Sequence, residues 1–261
     1  MKTENIHSFL ESLTDYSSPR SAEYFSYAKE GYGKRFRIIR NIISTYSEIA
    51  GKKILDIGCG TGGIVAGFAE EKNTDVWGID SNAHYIAALR NFFDQEGVPA
   101  HFMQGDAQKL PFSDSTFDIV VCNDVMEHVP SPDLLFSEIH RILKQKGVVF
   151  FSTHNRYSPR WFFSDPHFGL FGLTFFHRMI GKFYVTKIRK MTKNYDIWYF
   201  LSYAFFHRTG KKLNMHEEFL SKTYYMQSKK KWVRKLFSCM SHRNFFLRMF
   251  VPMLVFIFHK K

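Results

Sequence analysis

The chain has 261 residues, 45% of them apolar, which is enough for one well-buried α/β domain plus an appended element but not for two full-sized domains. Its net charge of +12 hides an asymmetry: residues 1–150 carry 15 Lys and Arg against 20 Asp and Glu, whereas residues 151–261 carry 21 against 4, which places contact with an anionic partner in the second part. Cys59, Cys122 and Cys239 show neither C-x-x-C nor Cys/His ligand spacing, so a disulfide framework, a structural zinc site and any other metal centre are not expected. The opening Met1-Lys2-Thr3-Glu4-Asn5 has no basic stretch followed by an apolar run, so no secretion signal is expected and a reducing cytoplasm is the expected location.

In chain order, residues from about Ser21 to Glu48 set Ile38, Ile39, Ile42 and Ile43 among charges such as Lys34, Arg35, Arg37 and Arg40, which predicts a helix ending near Gly51. Tyr24, Tyr27 and Tyr32 ahead of it either line an acceptor pocket or pack in the core, and packing is the commoner fate. Lys53 to Ile57 is an apolar strand that runs into the turn Gly58-Cys59-Gly60-Thr61-Gly62-Gly63, and glycine lets a backbone turn sharply and approach a ligand closely. Asp80 follows the apolar run Val76-Trp77-Gly78-Ile79, where its carboxylate can accept hydrogen bonds from a ribose diol. Asp106 follows the strand-like Ala100-His101-Phe102-Met103, and further strands are predicted at Phe117–Asp124 and Gly147–Thr153. Helices are predicted at about 62–72, 82–97 and 132–145, the last opened by Pro130-Ser131-Pro132-Asp133. Alternating strands and helices predict a Rossmann-like, doubly wound, mostly parallel sheet, in which ligands bind beyond the carboxyl ends of the strands.

Ile54 to Gly62, Gly78-Ile79-Asp80, Gly105-Asp106-Ala107 with Leu110-Pro111-Phe112, and Phe117-Asp118 through Glu127-His128 are four ordered motifs. Through them residues of about 50–155 resemble the class I S-adenosylmethionine-dependent methyltransferases, most of all the broad group with a type 11 methyltransferase domain that includes quinone-ring methylases. The resemblance implies S-adenosylmethionine as cofactor. It implies that Asp56 orients the glycine loop and the methionine amino group, that Gly58 and Gly60 face the amino-acid moiety, that Asp80 holds the ribose hydroxyls, that Asp106 and Ala107 frame the adenine, that Asn123 closes the pocket near the sulfonium, and that Cys59, Gly62 and Ser81 also belong to the cofactor site. Gly58, Gly60 and Gly63 also satisfy the G-x-G-x-x-G spacing of a dinucleotide fold, but a carboxylate at Asp56 repels a pyrophosphate and suits an ammonium and a sulfonium. No P-loop Gly-Lys-Ser/Thr is present.

The resulting organisation is an N-terminal helical cap over residues 1–50, a cofactor core over 51–155, an aromatic insertion over 156–195 forming a lid or acceptor site, and a remainder over 196–261 that carries a basic segment and an antiparallel last strand. In the insertion, Asp165-Pro166 and its two glycines also suit a purely structural turn. Met253 to His259 suits the last strand, with a partner around Lys211 to Met215; the apolar ending is interrupted by Arg248 and too short for the roughly 20 apolar residues of a membrane span. In Lys229–Met240, Trp232, Val233, Leu236, Phe237 and Met240 share one helical stripe among five cations, which suits packing on the core or lying on an anionic lipid surface.

Methyl transfer from a sulfonium is a direct displacement, so alignment and exclusion of water are the main tasks, and an acceptor hydroxyl adds the need for a base. His128, His154 and His167 are the candidate bases by position. The expected acceptor is a small-molecule, lipid-linked or glycan compound, anionic, with O-methylation favoured. Nucleic acid is the weaker alternative: the basic second part suits a phosphate backbone and RNA, but Asn123-Asp124-Val125-Met126 lacks the Asn/Asp-Pro-Pro-aromatic tetrad of base amino methylases. A non-catalytic S-adenosylmethionine-binding protein is the remaining alternative.

Overall fold

The apolar run Lys53–Ile57 forms a central strand, β1, with Ile54, Leu55 and Ile57 wholly buried in the computed structural model, which describes residues 3–13, 26, 28–29, 31–192, 195–226, 231, 234–235 and 245–261. A strand buried on both faces reads as an apolar run rather than an alternation, the mark of a parallel sheet. β2 (Asp75–Asp80) pairs in parallel with β1, β3 (His101–Gln104) with β2, and β4 (Phe117–Asn123) with the other side of β1, so that Asp56 stands opposite both Gly78 and Val121. Between and before these strands run α1 (Thr3–Leu13), α2 (Phe36–Ile43), α3 (Gly63–Ala69) and α4 (Ala83–Glu96); α5 (Pro132–Ile142) leads into β5 (Leu143–His154). The remainder holds α6 (Pro159–Phe163), α7 (Arg178–Phe183), α8 (Tyr203–Lys212), β6 (Met215–Phe219), α9 (Ser221–Met226), α10 (Phe245–Phe250) and β7 (Met253–Lys260).

The strands lie in the order β3-β2-β1-β4-β5-β7-β6, a mostly parallel sheet with antiparallel last strands, as expected from the sequence. The order reverses between β1 and β4, the switch point at which open α/β sheets bind ligands. Asn82 caps α4 by accepting from His84 N and Tyr85 N at 2.9 and 3.3 Å, and Gly97 in the left-handed region (φ 63°) ends it. α5 starts at Pro132, where a missing N–H costs nothing.

Two expectations shift. The partner of the last strand is β6 at Met215–Phe219 rather than Lys211–Met215, because Lys211 and Lys212 complete α8 and Asn214 makes the turn at φ 53°. The N-terminal helix ends at Ile43 rather than near Gly51, and it passes through a π-helical turn at Gly31–Arg35, where two glycines weaken α-helix. Tyr24, Tyr27 and most of 229–240, including Trp232, Val233, Leu236, Phe237, Cys239 and Met240, lie outside the described residues.

The chain divides into two compact units: residues 1–122, 138–149 and 260 in the first, and 123–137, 150–259 and 261 in the second. The first buries Val65, Phe68, Leu89 and Phe93 with β1, β2 and β4. The second is built on phenylalanine: Phe136 lies 4.7 Å from Phe151 and 5.2 Å from Phe258, and Phe206 lies 4.6 Å from Phe256 (ring centroids). Within it Leu170, Leu173, Val185, Tyr195, Ile197 and Phe200 form a separate small core. Phe206 is fully buried, so Phe206→Ala leaves a large cavity and is expected to cost about 3–5 kcal/mol of stability. A urea midpoint equal to that of the wild type would refute this placement.

Candidate functional site

In the first unit the chain leaves β1 through Gly58, Gly60 and Gly62, at φ 66°, 50° and 79°, a run of left-handed residues that only glycine adopts without strain. A Cβ on Gly62 would also collide with the Leu89 side chain. Gly58 N and Cys59 N both donate to Ile79 O, at 2.8 and 3.1 Å, which ties the loop to the end of β2. Asp80, the next residue, completes the tie: Oδ2 accepts from Gly60 N and Oδ1 from Asn82 N, both at 2.9 Å. Each carboxylate oxygen keeps a lone pair for a hydroxyl donor, so Asp80 is held at a fixed angle yet still able to bind a diol.

Asp56 is 2% exposed, and burial, followed by the charge of Asp80, pushes its carboxyl well above the usual range. A buried acid beside a second acid is a place where an arriving cation relieves repulsion and desolvation together. Burial, then Asp56 and Asp80, likewise push the Cys59 thiol up, which leaves it a neutral packing group rather than a nucleophile. Asp106 is exposed and caps its own turn, with Oδ1 accepting from Gln108 N at 2.8 Å; Ala107 follows it, and the exposed Ser81 offers its carbonyl to Gln104 Nε2 at 3.2 Å. Asp56, Gly58, Cys59, Gly60, Gly62, Asp80, Ser81, Asp106 and Ala107 thus belong to one unit, and hydrogen bonds or charge link Asp56, Gly60 and Asp80 directly.

Tyr32 is a residue whose role the sequence left between two readings. Its hydroxyl donates to Thr61 O at 2.6 Å and braces the glycine loop from the N-terminal segment. A lone tyrosine 29 positions upstream carries no sequence signal for that contact.

The second unit holds the remaining candidates. At the end of β4, Asp124 adopts φ 56°, and Ser152 Oγ reaches Asn123 Oδ1 at 2.8 Å and Asp124 Oδ1 at 3.1 Å. A 3₁₀ turn, Met126–His128, buries Glu127 at 1% exposure. Thr153 Oγ1 donates to Glu127 Oε2 at 3.0 Å, His154 Nδ1 stands 3.4 Å from Glu127 Oε1, and the Glu127 carbonyl accepts from Trp198 N at 2.8 Å. His128 Nδ1 lies 3.1 Å from Asp196 Oδ2. The His167 ring lies 5.4 Å from that of His128 and 5.3 Å from that of His154, so the structure brings all three predicted histidines together. Asp165 makes this possible: its buried carboxylate accepts from His167 N, Phe168 N and Leu170 N at 2.9, 2.9 and 2.6 Å, and so builds the turn that presents His167.

Burial opposes the charge of Glu127, but the His154 hydrogen bond and the two neighbouring imidazoles outweigh it, and its carboxyl titrates below the usual range. Burial also opposes protonation of His128, yet Asp196 and Glu127 raise it to about 9. His154 is raised for the same reason, Glu127 prevailing over burial. Burial, and then the charge of His154, hold His167 down at about 3. Glu127, Asp165 and Asp196 escaped the sequence reading as site residues; for Glu127 a signal existed in its pairing with His128, and for Asp196 none did.

A family model described as a methyltransferase domain matches residues 55–151. Ubiquinone biosynthesis O-methyltransferases of Pseudomonas aeruginosa and Photorhabdus laumondii are 36% and 35% identical over 125 and 124 residues, 48% and 46% of this chain and 53% and 50% of those proteins. The chain therefore spans about half the length of the curated relatives it matches. Among solved structures, an S-adenosylmethionine-dependent methyltransferase from Methanosarcina mazei superposes with a TM-score of 0.56 at 20% identity, covering 84% of this chain and 96% of that one. The YcgJ protein of Bacillus subtilis gives 0.55 at 18%, covering 86% and 98%. At these identities the superpositions establish the fold.

Because the folded-state pKa of His128 is raised from 6.5 to about 9, its pairing with Asp196 stabilises the protein fully below pH ~6.5 and ceases to do so as pH rises through about 9. An NMR titration is expected to place the His128 midpoint near 9 and to bring it down in Asp196→Asn. A wild-type midpoint at or below the ordinary value would refute the pairing.

Proposed function

We propose, from the match of residues 55–151 to a methyltransferase domain, that the protein transfers a methyl group from S-adenosylmethionine to an oxygen of a small, anionic or lipid-linked acceptor in the cytoplasm. The observation that carries the reading is the pair of carboxyls at the glycine loop. Asp56, buried and short of a cation, suits the ammonium and sulfonium of the donor, while Asp80, fixed by Gly60 and Asn82, suits the ribose diol. The glycine backbone suits the amino-acid part, and Asp106 with Ala107 is assigned to the adenine. Bound there, S-adenosylmethionine supplies an electrophilic methyl group, so the protein's own task is alignment, exclusion of water and removal of one proton.

We assign the proton to His128. Of the three histidines it has an orienting carboxylate, Asp196 at Nδ1, and a side chain 32% exposed, against 18% for His154, so its Nε2 can meet an acceptor hydroxyl. Asp196 and Glu127 stabilise its imidazolium up to about pH 9, so the neutral, proton-accepting form is the minor one at pH ~7 and turnover is expected to rise with pH towards 9. His167 has too low a basicity for the task. Relatives named for O-methylation support oxygen as the accepting atom.

Residues 156–195 support a lid that meets an anionic lipid surface. Phe163, Phe171, Met179, Ile180, Phe183 and Ile188 are all exposed, Met179 by 73% and Phe163 by 68%, on a segment that carries eight Lys and Arg against one acid, the buried Asp165. Apolar side chains interleaved with cations are the pattern of interfacial binding, each cation near such a surface contributing about 1 kcal/mol. No helix among the described residues is long and apolar enough to cross a membrane.

Two measurements bear on this. Calorimetry with S-adenosylmethionine is expected to show binding that Asp80→Ala weakens by about 1–3 kcal/mol, through loss of charge-assisted hydrogen bonds. Absence of binding by the wild type would sink the enzymatic reading, and an unchanged affinity in the variant would sink the ribose assignment. In sedimentation with vesicles, the protein is expected to follow anionic but not neutral lipid, and Phe183→Glu to release it; equal behaviour with both lipids would overturn the surface.

A further inference from the structure

We propose that Glu127, His154 and His167 form a binding site for one divalent transition-metal ion of the zinc type. One donor atom from each lies within 4.8 Å of the other two. A tetrahedral centre with bonds of about 2.05 Å needs its ligand atoms about 3.3 Å apart, so closure on an ion takes side-chain shifts of about 1 Å or less at each group. Two imidazoles and one carboxylate leave a fourth position open, the donor set of zinc sites that also admit water or a ligand oxygen.

Two further observations point to an ion. His167 Nδ1 is buried and has no hydrogen-bond partner among the described residues, an arrangement that costs free energy unless something occupies the space in front of it. Glu127 is already built as a ligand: Thr153 Oγ1 holds Oε2 at 3.0 Å, and Trp198 N holds the Glu127 main chain at 2.8 Å, contacts of the kind that fix a ligand's direction. His167 is fixed in turn by the three N–H bonds that its turn makes to Asp165. The ligands come from a 3₁₀ turn, the end of β5 and a loop, so their spacing of 27 and 13 positions matches no sequence motif. His128, although adjacent, is turned to Asp196 and takes no part. The site shares Glu127 with the proposed base but uses none of the residues at the glycine loop, so zinc binding and donor binding are measured separately.

Zinc(II) titrated into the metal-free full-length protein by calorimetry is expected to bind at one tight equivalent, with magnesium showing none because it prefers all-oxygen shells. His154→Ala and His167→Ala, each confirmed as folded by circular dichroism, are expected to weaken that equivalent at least tenfold. His216→Ala is the control for adventitious binding, since His216 and Glu218 pair on the surface at 3.1 Å, and is expected to leave it unchanged. Tight binding that survives both cluster variants, or that His216→Ala removes, would overturn the proposal. Should either cluster variant fail to fold, cobalt(II) added to the wild type decides instead: strong paramagnetic shifts of the His154 and His167 imidazole signals support the site, and unperturbed signals overturn it.

Discussion

The carboxylate of Asp80 is the joint of the first unit. It accepts the Gly60 N–H from the glycine loop and the Asn82 N–H from the start of α4, so one side chain fixes the end of β2, the loop after β1 and the next helix in a common geometry. Everything at the loop follows from that placement. The three left-handed glycines have one path to take, Tyr32 can reach Thr61 O, and Asp56 is brought under the influence of a second negative charge. Two acids close together in a folded chain are electrostatically unfavourable, and such a pair suits a cationic ligand, which would turn repulsion into attraction.

Glu127 plays the corresponding part in the second unit. A carboxylate 1% exposed survives as an anion because Thr153, His154 and the charge of His128 compensate for lost hydration. Its charge separates the histidines into different kinds of group. His128 and His154 are driven towards the cationic form, while His167, enclosed and facing a cation, is kept neutral with an unpartnered nitrogen. Three residues of one chemical type thus differ in basicity because their partners differ.

Charge is distributed along the chain with a similar logic. The half that bears the glycine loop is mildly acidic, which suits a donor carrying an ammonium and a sulfonium; the other half is strongly basic and exposes aromatic and aliphatic side chains between its cations. Exposed residues such as Met179 and Phe183 forgo the stabilisation that burial would bring, about 1.5–3 kcal/mol for each large apolar side chain, and a surface that covers them would restore part of it.

The sequence by itself determined the sheet, its parallel strands, the glycine loop and the acids at the strand ends, because each depends on residues close together in the chain: an apolar run sets a buried strand, glycine a left-handed turn, Pro132 a helix start. The breadth of the N-terminal helix and the place of β6 were legible only approximately, since π-turn geometry at Gly31–Arg35 and the left-handed Asn214 leave little trace in periodicity. Tertiary structure alone decided that Tyr32 braces the loop 29 positions away, that Asp196 rather than Glu127 orients His128, and that His154 and His167 converge on a buried carboxylate. Such contacts join side chains far apart in sequence, and the backbone that brings them together is fixed by packing of the whole unit rather than by any local preference.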